Sequence, residues 1–473
     1  MQTTFLADPA PPQNARSITS NNFNKGYYMT FTENHQNKQA ESIIGQGSRL
    51  CISGLNAAAT ATVRQVIMEL GAVATSFRPG ADGIILPDNA SGADRAEALA
   101  QGFVVFTVSE LTRLARGAEE QRSAIELGDK TLRILDIEIP RGSENTASDS
   151  GRFKHLCLDR LFLTTARKAA LAVRHGIPCM LEGETATAKT TAILWLAMLA
   201  GQNAVRVNLS GHTDTGELVG RFIPSTQTGE NRPAWEFSEG YIPRALRNGW
   251  WVILDEVNLA EPQVLERLNP VLELPPTLVL TEHDGRRFGG GGDVPVSENF
   301  RLFGTMNPSE YAGRATLSPA FRDRWGIWGH IGKPSEPELL DMLRCLVTGE
   351  SPAFVWEGVR WIPPRTEPVY PVLSNFPDLE VTLKSIASFH ARISGAAGDN
   401  EAPASIGRVR RERYVFTRRT LLNAMRLIHE NSNGASRLRG VAARVLAEIY
   451  IQRLADPADR AAALALLRAT GLA

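Results

Sequence analysis

A chain of 473 residues is long enough for two or three domains, each with a core of its own. Hydrophobic residues make up 43% and charged residues 22%, an ordinary balance for a soluble globular protein. Lys+Arg and Asp+Glu both number 51, so no overall basic field draws the molecule to nucleic acid or to anionic lipid.

The four cysteines (Cys51, Cys157, Cys179, Cys345) are scattered, with no C-x-x-C pair and no histidine cluster nearby. That pattern argues against a zinc site or a disulfide framework and makes a reducing cytoplasm the expected location. No apolar run reaches the length of a membrane span, and "MQTTFLADPAPPQNARS" lacks the basic-then-apolar layout of a secretory signal, so no membrane partner is expected.

Residues 1–46 are rich in Asn, Gln, Ser and Thr and show no periodicity, the composition of a disordered tail, within which Met29 is an alternative start. From Gly47 the texture changes. "RLCISG" reads as a strand, and "AAATATVRQVIMELG" as a helix with Val63, Ile67 and Leu70 on one face and Gly71 at its end. "AVATSF" and "GIILP" read as strands, "GADRAEALAQG" as a helix, "FVVFT" as a strand and "VSELTRLARG" as a helix. This β-α-β-β-α-β-α order over residues 47–117 predicts a small α/β domain. It resembles a BRCT domain, with Ser53-Gly54 after the first strand and Gly71 closing the first helix. The resemblance implies that Ser53 and Gly54, with a basic residue opening the second helix (Arg95 approximately), hold a phosphate. Residues 118–150, a charged helix-like stretch, a strand-like "TLRILDIEIP" and a polar loop, are expected to be a linker and lead-in.

Over residues 151–333 the strongest signals appear. "GIPCMLEGETATAKTTAILWLAMLA" is an apolar strand, a loop opened by Gly183 and an apolar helix, the context of a phosphate-binding loop. Gly183, Glu184, Thr185, Ala186, Thr187, Ala188, Lys189, Thr190 and Thr191 are the nucleotide-binding candidates. In such a loop the backbone N–H groups face phosphate, Lys189 neutralises its β/γ oxygens and the Thr190 hydroxyl ligates Mg²⁺. The pattern asks for glycine where Ala188 stands; a methyl group is tolerated there if the position has near-helical φ/ψ.

"GWWVILDEVNLAEP" ends an apolar strand in Asp255-Glu256, suited to holding Mg²⁺ and to activating water. "NFRLFGTMNP" places Asn307 at the end of another strand, and "LSPAFRDRW" supplies Arg322 and Arg324 for charge on a transferring phosphoryl group. Each has an ordinary alternative, a surface turn or a salt bridge; their order along the chain favours a common purpose.

Together "GETATAKT", "WWVILDE", "FGTMNP" and "SPAFRDRW" resemble an AAA+ ATPase of the MoxR, dynein-related and midasin-like branch. "RVNLSGHTDTGELVGRFIP" with "WEFSEGYIPRALRNG" matches an insertion in the second helix of that module, and "LELPPTLVLTEHDGRRFGG" the hairpin before the sensor strand. The resemblance implies an αβα core followed over residues 334–473 by a helical lid, where "FTRRTLLNAMRL" supplies a second sensor at Arg419. Arg418 stands where the family commonly has proline. It also implies ATP and Mg²⁺ as ligands and Arg324, or else Arg322, acting in trans in a homo-oligomeric ring, a hexamer. A protein client or a von Willebrand-type partner is implied too. Two other readings stay open: a DNA-associated motor or repair factor recruited through the BRCT-like domain, and a weakly hydrolysing nucleotide-binding scaffold. The basic run "SIGRVRRERYVFTRR" is read as a solvated loop in preference to a nucleic-acid contact.

Overall fold

The computed structural model describes residues 49–472 except 56–58, 61–62, 65–66, 68–72, 76–82, 102, 116–120, 143–149, 226–234, 309–315, 399–405 and 408–413. The expected tail, Met29 and residues 405 and 408–413 of the basic run therefore lie outside the described residues. The chain forms two compact units, divided after Gly117.

In the first unit β1 (Arg49–Ile52), β2 (Val73–Thr75), β3 (Gly83–Leu86) and β4 (Val104–Thr107) form a parallel sheet in the order β2-β1-β3-β4. Parallel strands are covered on both faces, so alternate residues enter different cores. Leu50, Ile85 and Phe106 pack with Val63, Ile67 and Leu111, whereas Cys51, Ile84 and Leu86 pack with Ala98. The helix Gly92–Ala100 starts at Ser91, whose hydroxyl and Asp94 form a reciprocal capping box.

The second unit is α/β and is built on β9 (Cys179–Gly183), β10 (Ala204–Asn208), β13 (Trp251–Asp255), β16 (Arg301–Met306) and β17 (Ile327–Ile331). These strands are all parallel, in the order β10-β13-β16-β9-β17. "WVILD" is buried throughout because both sheet faces are covered. Trp251 and Ile253 enter the core with the helices Arg160–His175 and Lys189–Leu199. Val252 and Leu254 enter the opposite core with the helix Tyr241–Asn248. Strand order is not chain order, so β9 lies between β16 and β17 and the loop after it opens at a topological switch point. Two hairpins project from this frame: β11 (Gly220–Pro224) with β12 (Trp235–Glu239), and β14 (Leu278–Val279) with β15 (Arg287–Phe288). Phe237 of the first stacks on His283 of the second at 4.4 Å.

The stretch 121–140, expected to begin helix-like, is instead extended. It contains β5 (Gln121–Ser123) and the antiparallel meander β6 (Ile125–Leu127), β7 (Thr131–Ile134) and β8 (Ile137–Pro140). Its charges alternate with period two, and Glu126 faces Arg133 across the ladder. Leu132, Ile134, Ile137 and Ile139 join Phe162 and Ala166 in the core of the sheet's helical layer. This segment is folded into the unit, which a tether would not be.

Beyond residue 334 the helices Glu336–Thr348, Leu379–Gly398, Arg418–Glu430, Leu438–Leu446 and Pro457–Ala469 enclose one apolar cluster around Leu343, Phe389, Met425 and Tyr450. The all-helical expectation fails at β18 (Phe354–Trp356) and β19 (Val359–Ile362), a hairpin that adds to β5. Its aromatic and β-branched residues favour strands, and Glu357 (φ 48°) with Gly358 (φ 76°) supply the two left-handed residues of a tight hairpin turn.

Candidate nucleotide site

Gly183 ends β9 where a Cβ would lie 2.4 Å from the Ile331 carbonyl oxygen of β17, so glycine there admits the neighbouring strand. The loop then turns through Ala186 (φ 63°) and Ala188 (φ 65°), both left-handed. The condition under which a methyl group is readily accommodated at position 188, near-helical φ/ψ, is therefore not met. The chain adopts the geometry glycine would supply and carries two methyl groups through it, at a cost of about 1–2 kcal/mol each. Immediately after, the helix Lys189–Leu199 begins without a side-chain cap, leaving its first N–H groups directed into the loop.

Lys189 is only 7% exposed, and its ammonium is held by four acceptors. It donates to the carbonyls of Gly183 (2.7 Å) and Glu184 (2.9 Å), to Thr187 Oγ1 (3.4 Å) and to Asn307 Oδ1 (3.0 Å). The Asn307 amide nitrogen donates in turn to Glu256 Oε1 at 3.0 Å. Glu256 itself adopts φ 59°, a left-handed turn at the end of β13 that faces its carboxylate to Asn307. Thr190 Oγ1 donates to Asp255 Oδ1 at 3.1 Å. Lys189, Thr190, Asp255, Glu256 and Asn307, far apart in sequence, thus converge at the carboxyl ends of β9, β13 and β16.

Three residues at this site were not anticipated. Thr305, on β16 two residues before Asn307, donates to Asp255 Oδ1. Asn258 is 1% exposed and donates to the Asn307 carbonyl at 2.8 Å, fixing the chain just beyond β16. Arg206, the lone basic residue of β10, donates through Nε to Asp255 Oδ2 at 2.7 Å.

The remaining loop candidates belong to the same turn or the helix start that follows it, whereas the candidate arginines make contacts elsewhere. Glu184 pairs with Lys333 at 3.4 Å, and Thr187 closes the loop on the Glu184 carbonyl; Thr185 and Thr191 are half-buried. Arg322 stacks over Trp328 at 4.6 Å. Arg324 bonds Glu273 Oε1 (2.9 Å) and the Ala320 carbonyl (2.6 Å). Arg419 is exposed on the first turn of its helix. Its neighbour Arg418, which stands where proline was the pattern, is the one drawn inward. It meets Asp159 Oδ2 at 2.8 Å, joining the lid helix to the cap of Arg160–His175.

In the first unit Ser53 and Gly54 line a cavity of about 420 Å³ whose charged members are Asp94 and Glu97. Arg95 is not among its lining residues; it bonds Glu110 at 3.1 and 3.2 Å. The three residues proposed to hold phosphate are therefore not brought together.

The donors near Lys189 suit a magnesium nucleotide. Thr190 and Asp255 are oxygen ligands of the kind a hard cation takes, and the buried ammonium and uncapped helix start suit phosphate.

A family described as AAA domain (dynein-related subfamily) matches residues 178–325. Over 180 residues the chain is 36% identical to midasin of Dictyostelium discoideum, covering 37% of this chain and 3% of that protein. It is 35% identical over 185 residues to midasin of Giardia intestinalis, covering 39% of this chain and 4% of that protein. The aerobic cobaltochelatase subunit CobS of Sinorhizobium sp is 27% identical over 222 residues, which is 45% of this chain and 63% of CobS. The chain thus spans a small fraction of either midasin and under two thirds of CobS. No helix among the described residues is long and apolar enough to cross a membrane.

Proposed function

We propose that the chain, whose residues 178–325 match an AAA domain of the dynein-related subfamily, hydrolyses ATP between β9, β13 and β16 as one subunit of a ring that remodels a protein partner. The observation that carries the reading is the hydrogen-bonded series Lys189–Asn307–Glu256. It places a cation for phosphate, an amide for positioning and a carboxylate for water on one another.

Lys189 and the N–H groups opening its helix bind the β- and γ-phosphates. Thr190 and Asp255 would hold Mg²⁺, which when bound neutralises charge on the phosphate oxygens. Glu256 accepts a proton from water as that oxygen attacks the γ-phosphorus and the bond to the β-bridging oxygen breaks, giving ADP and phosphate. Asn307 orients the carboxylate and the water.

Arg324 is engaged within its own subunit by Glu273 and Ala320, away from Lys189, which supports service to a neighbour's nucleotide. Arg322, stacked on Trp328, is the substitute, and Arg419, exposed at the start of its helix, is the second-sensor candidate. A finger in trans requires a closed ring, which we take to be a hexamer. CobS is by name a subunit of a cobaltochelatase; from that likeness we infer a partner complex, and the family resemblance adds a von Willebrand-type protein as a candidate. We also infer a cytoplasmic location and a separate docking role for the BRCT-like residues 47–117. The strained Ala186 and Ala188 favour one second reading, a nucleotide-binding scaffold that turns over slowly.

Glu256→Gln and Lys189→Ala separate these. Glu256→Gln retains ATP binding while turnover collapses, and Lys189→Ala loses binding. Wild-type turnover in Glu256→Gln would remove the base assignment. Tight binding by a wild-type chain with negligible turnover, alone and with copurified proteins, would favour the scaffold.

A further inference from the structure

We propose that Arg206 sets how strongly the nucleotide site depends on its divalent cation; the inference rests on the ATPase reading above. Arg206 stands on β10, the edge strand of the sheet, whose Asn208 is in register with Asp255. Its Nε and a terminal guanidinium nitrogen both meet Asp255 Oδ2. The other carboxylate oxygen, Oδ1, accepts from the hydroxyls of Thr190 and Thr305. The Asp255 side chain is 8% exposed while that of Arg206 is 49% exposed, so the guanidinium reaches inward from the rim to a buried carboxylate.

Asp255 is one of the two residues that would hold Mg²⁺, and its negative charge is what the protein contributes to that cation. A guanidinium keeps its charge at any working pH. Arg206 therefore neutralises Asp255 permanently and adds a like charge beside the ion. Both effects weaken the gain in nucleotide binding that Mg²⁺ provides. An edge pair present only to secure β10 would leave that gain untouched. A guanidinium that instead served to aim the carboxylate would strengthen it.

The test uses the full chain and a fluorescent ATP analogue, titrated at equilibrium in excess Mg²⁺ and in excess EDTA. The readout is the dissociation constant in EDTA divided by that in Mg²⁺. Arg206→Gln raises this ratio on the order of tenfold, the scale of a unit charge near a divalent ion even under water-like screening. Arg206→Lys keeps the charge without the fork and stays close to wild type. A ratio that is unchanged or lower in Arg206→Gln overturns the proposal. Should Arg206→Gln fail to fold by circular dichroism, Arg206→Lys decides: a ratio near wild type supports the charge argument, and a clear fall shows that geometry governs and overturns it. A wild-type chain that binds the analogue in neither buffer overturns the ATPase reading as well. Binding with an unaltered ratio removes only the role of Arg206.

Discussion

Replacing Arg418 by alanine breaks a contact in which the lid reaches the start of the core through a buried charge. The Arg418 and Asp159 side chains are 10% and 2% exposed, with 2.8 Å between their atoms. Asp159 uses its other oxygen, Oδ1, to cap its helix through the Phe162 N–H at 2.8 Å. Without Arg418 the carboxylate keeps the cap but faces a buried environment with its charge uncompensated. Removing one partner of such a pair costs about 3–5 kcal/mol. Asp159→Asn retains an amide oxygen able to cap, so its cost reports the charge left on Arg418. The pair Arg418→Ala and Asp159→Asn should cost well below the sum of the single variants, with a coupling of about 1–3 kcal/mol. Denaturant unfolding of wild type and the three variants, followed by far-ultraviolet circular dichroism, measures the cycle. A cost under about 1 kcal/mol for Arg418→Ala, or additivity within about 0.5 kcal/mol, would refute the buried-pair argument.

Arg324→Ala should retain ATP binding and lose roughly 10³-fold or more in turnover, and mixing it with Lys189→Ala subunits should restore part of the activity. Mixtures that stay inactive despite proven co-assembly would end the trans assignment. Ala188→Gly removes a left-handed methyl worth about 1–2 kcal/mol of strain but gives the unfolded chain about 0.4–1 kcal/mol of extra freedom. It should therefore raise stability by up to about 1 kcal/mol and shift nucleotide affinity less than about threefold; a large affinity gain in the binding titration would show that the loop itself is impaired. His390 is 3% exposed and bonded to the Tyr450 hydroxyl at 2.7 Å, and burial, with Arg418 nearby, pushes its pKa down to about 4. The unfolded chain binds this proton near pH 6.5 and the fold does not, so stability is full above that pH. It falls toward pH 4 by as much as roughly 3 kcal/mol. His390→Gln should flatten the pH dependence of unfolding over that window, and an unchanged slope would contradict the assignment.

The candidate nucleotide site was legible because its parts lie at the ends of apolar runs. "CMLEG", "WVILD" and "RLFGTM" read as strands, and a residue just after a strand of a parallel sheet faces the crevice where ligands bind. That reasoning found Lys189, Thr190, Asp255, Glu256 and Asn307 as a set. It left the conformation of Ala188 open, because periodicity reports which face a residue occupies and is silent on the sign of φ. It also took 118–150 for a linker, since strands of three and four residues carry too few alternations to outweigh their charges.

What the sequence by itself determined was local: element type, the two-faced burial of the central strands, and the residues that close each strand. The tertiary structure alone decided which strand lies beside which. The order β10-β13-β16-β9-β17 sets Arg206 and Thr305 on Asp255. The packing of the lid sets Arg418 on Asp159, 259 residues away. Neither a helical nor a strand repeat spans such separations. A charge finds its partner through the burial of whole apolar faces, which brings distant segments together and then exacts a large desolvation cost for any charge left unpaired between them.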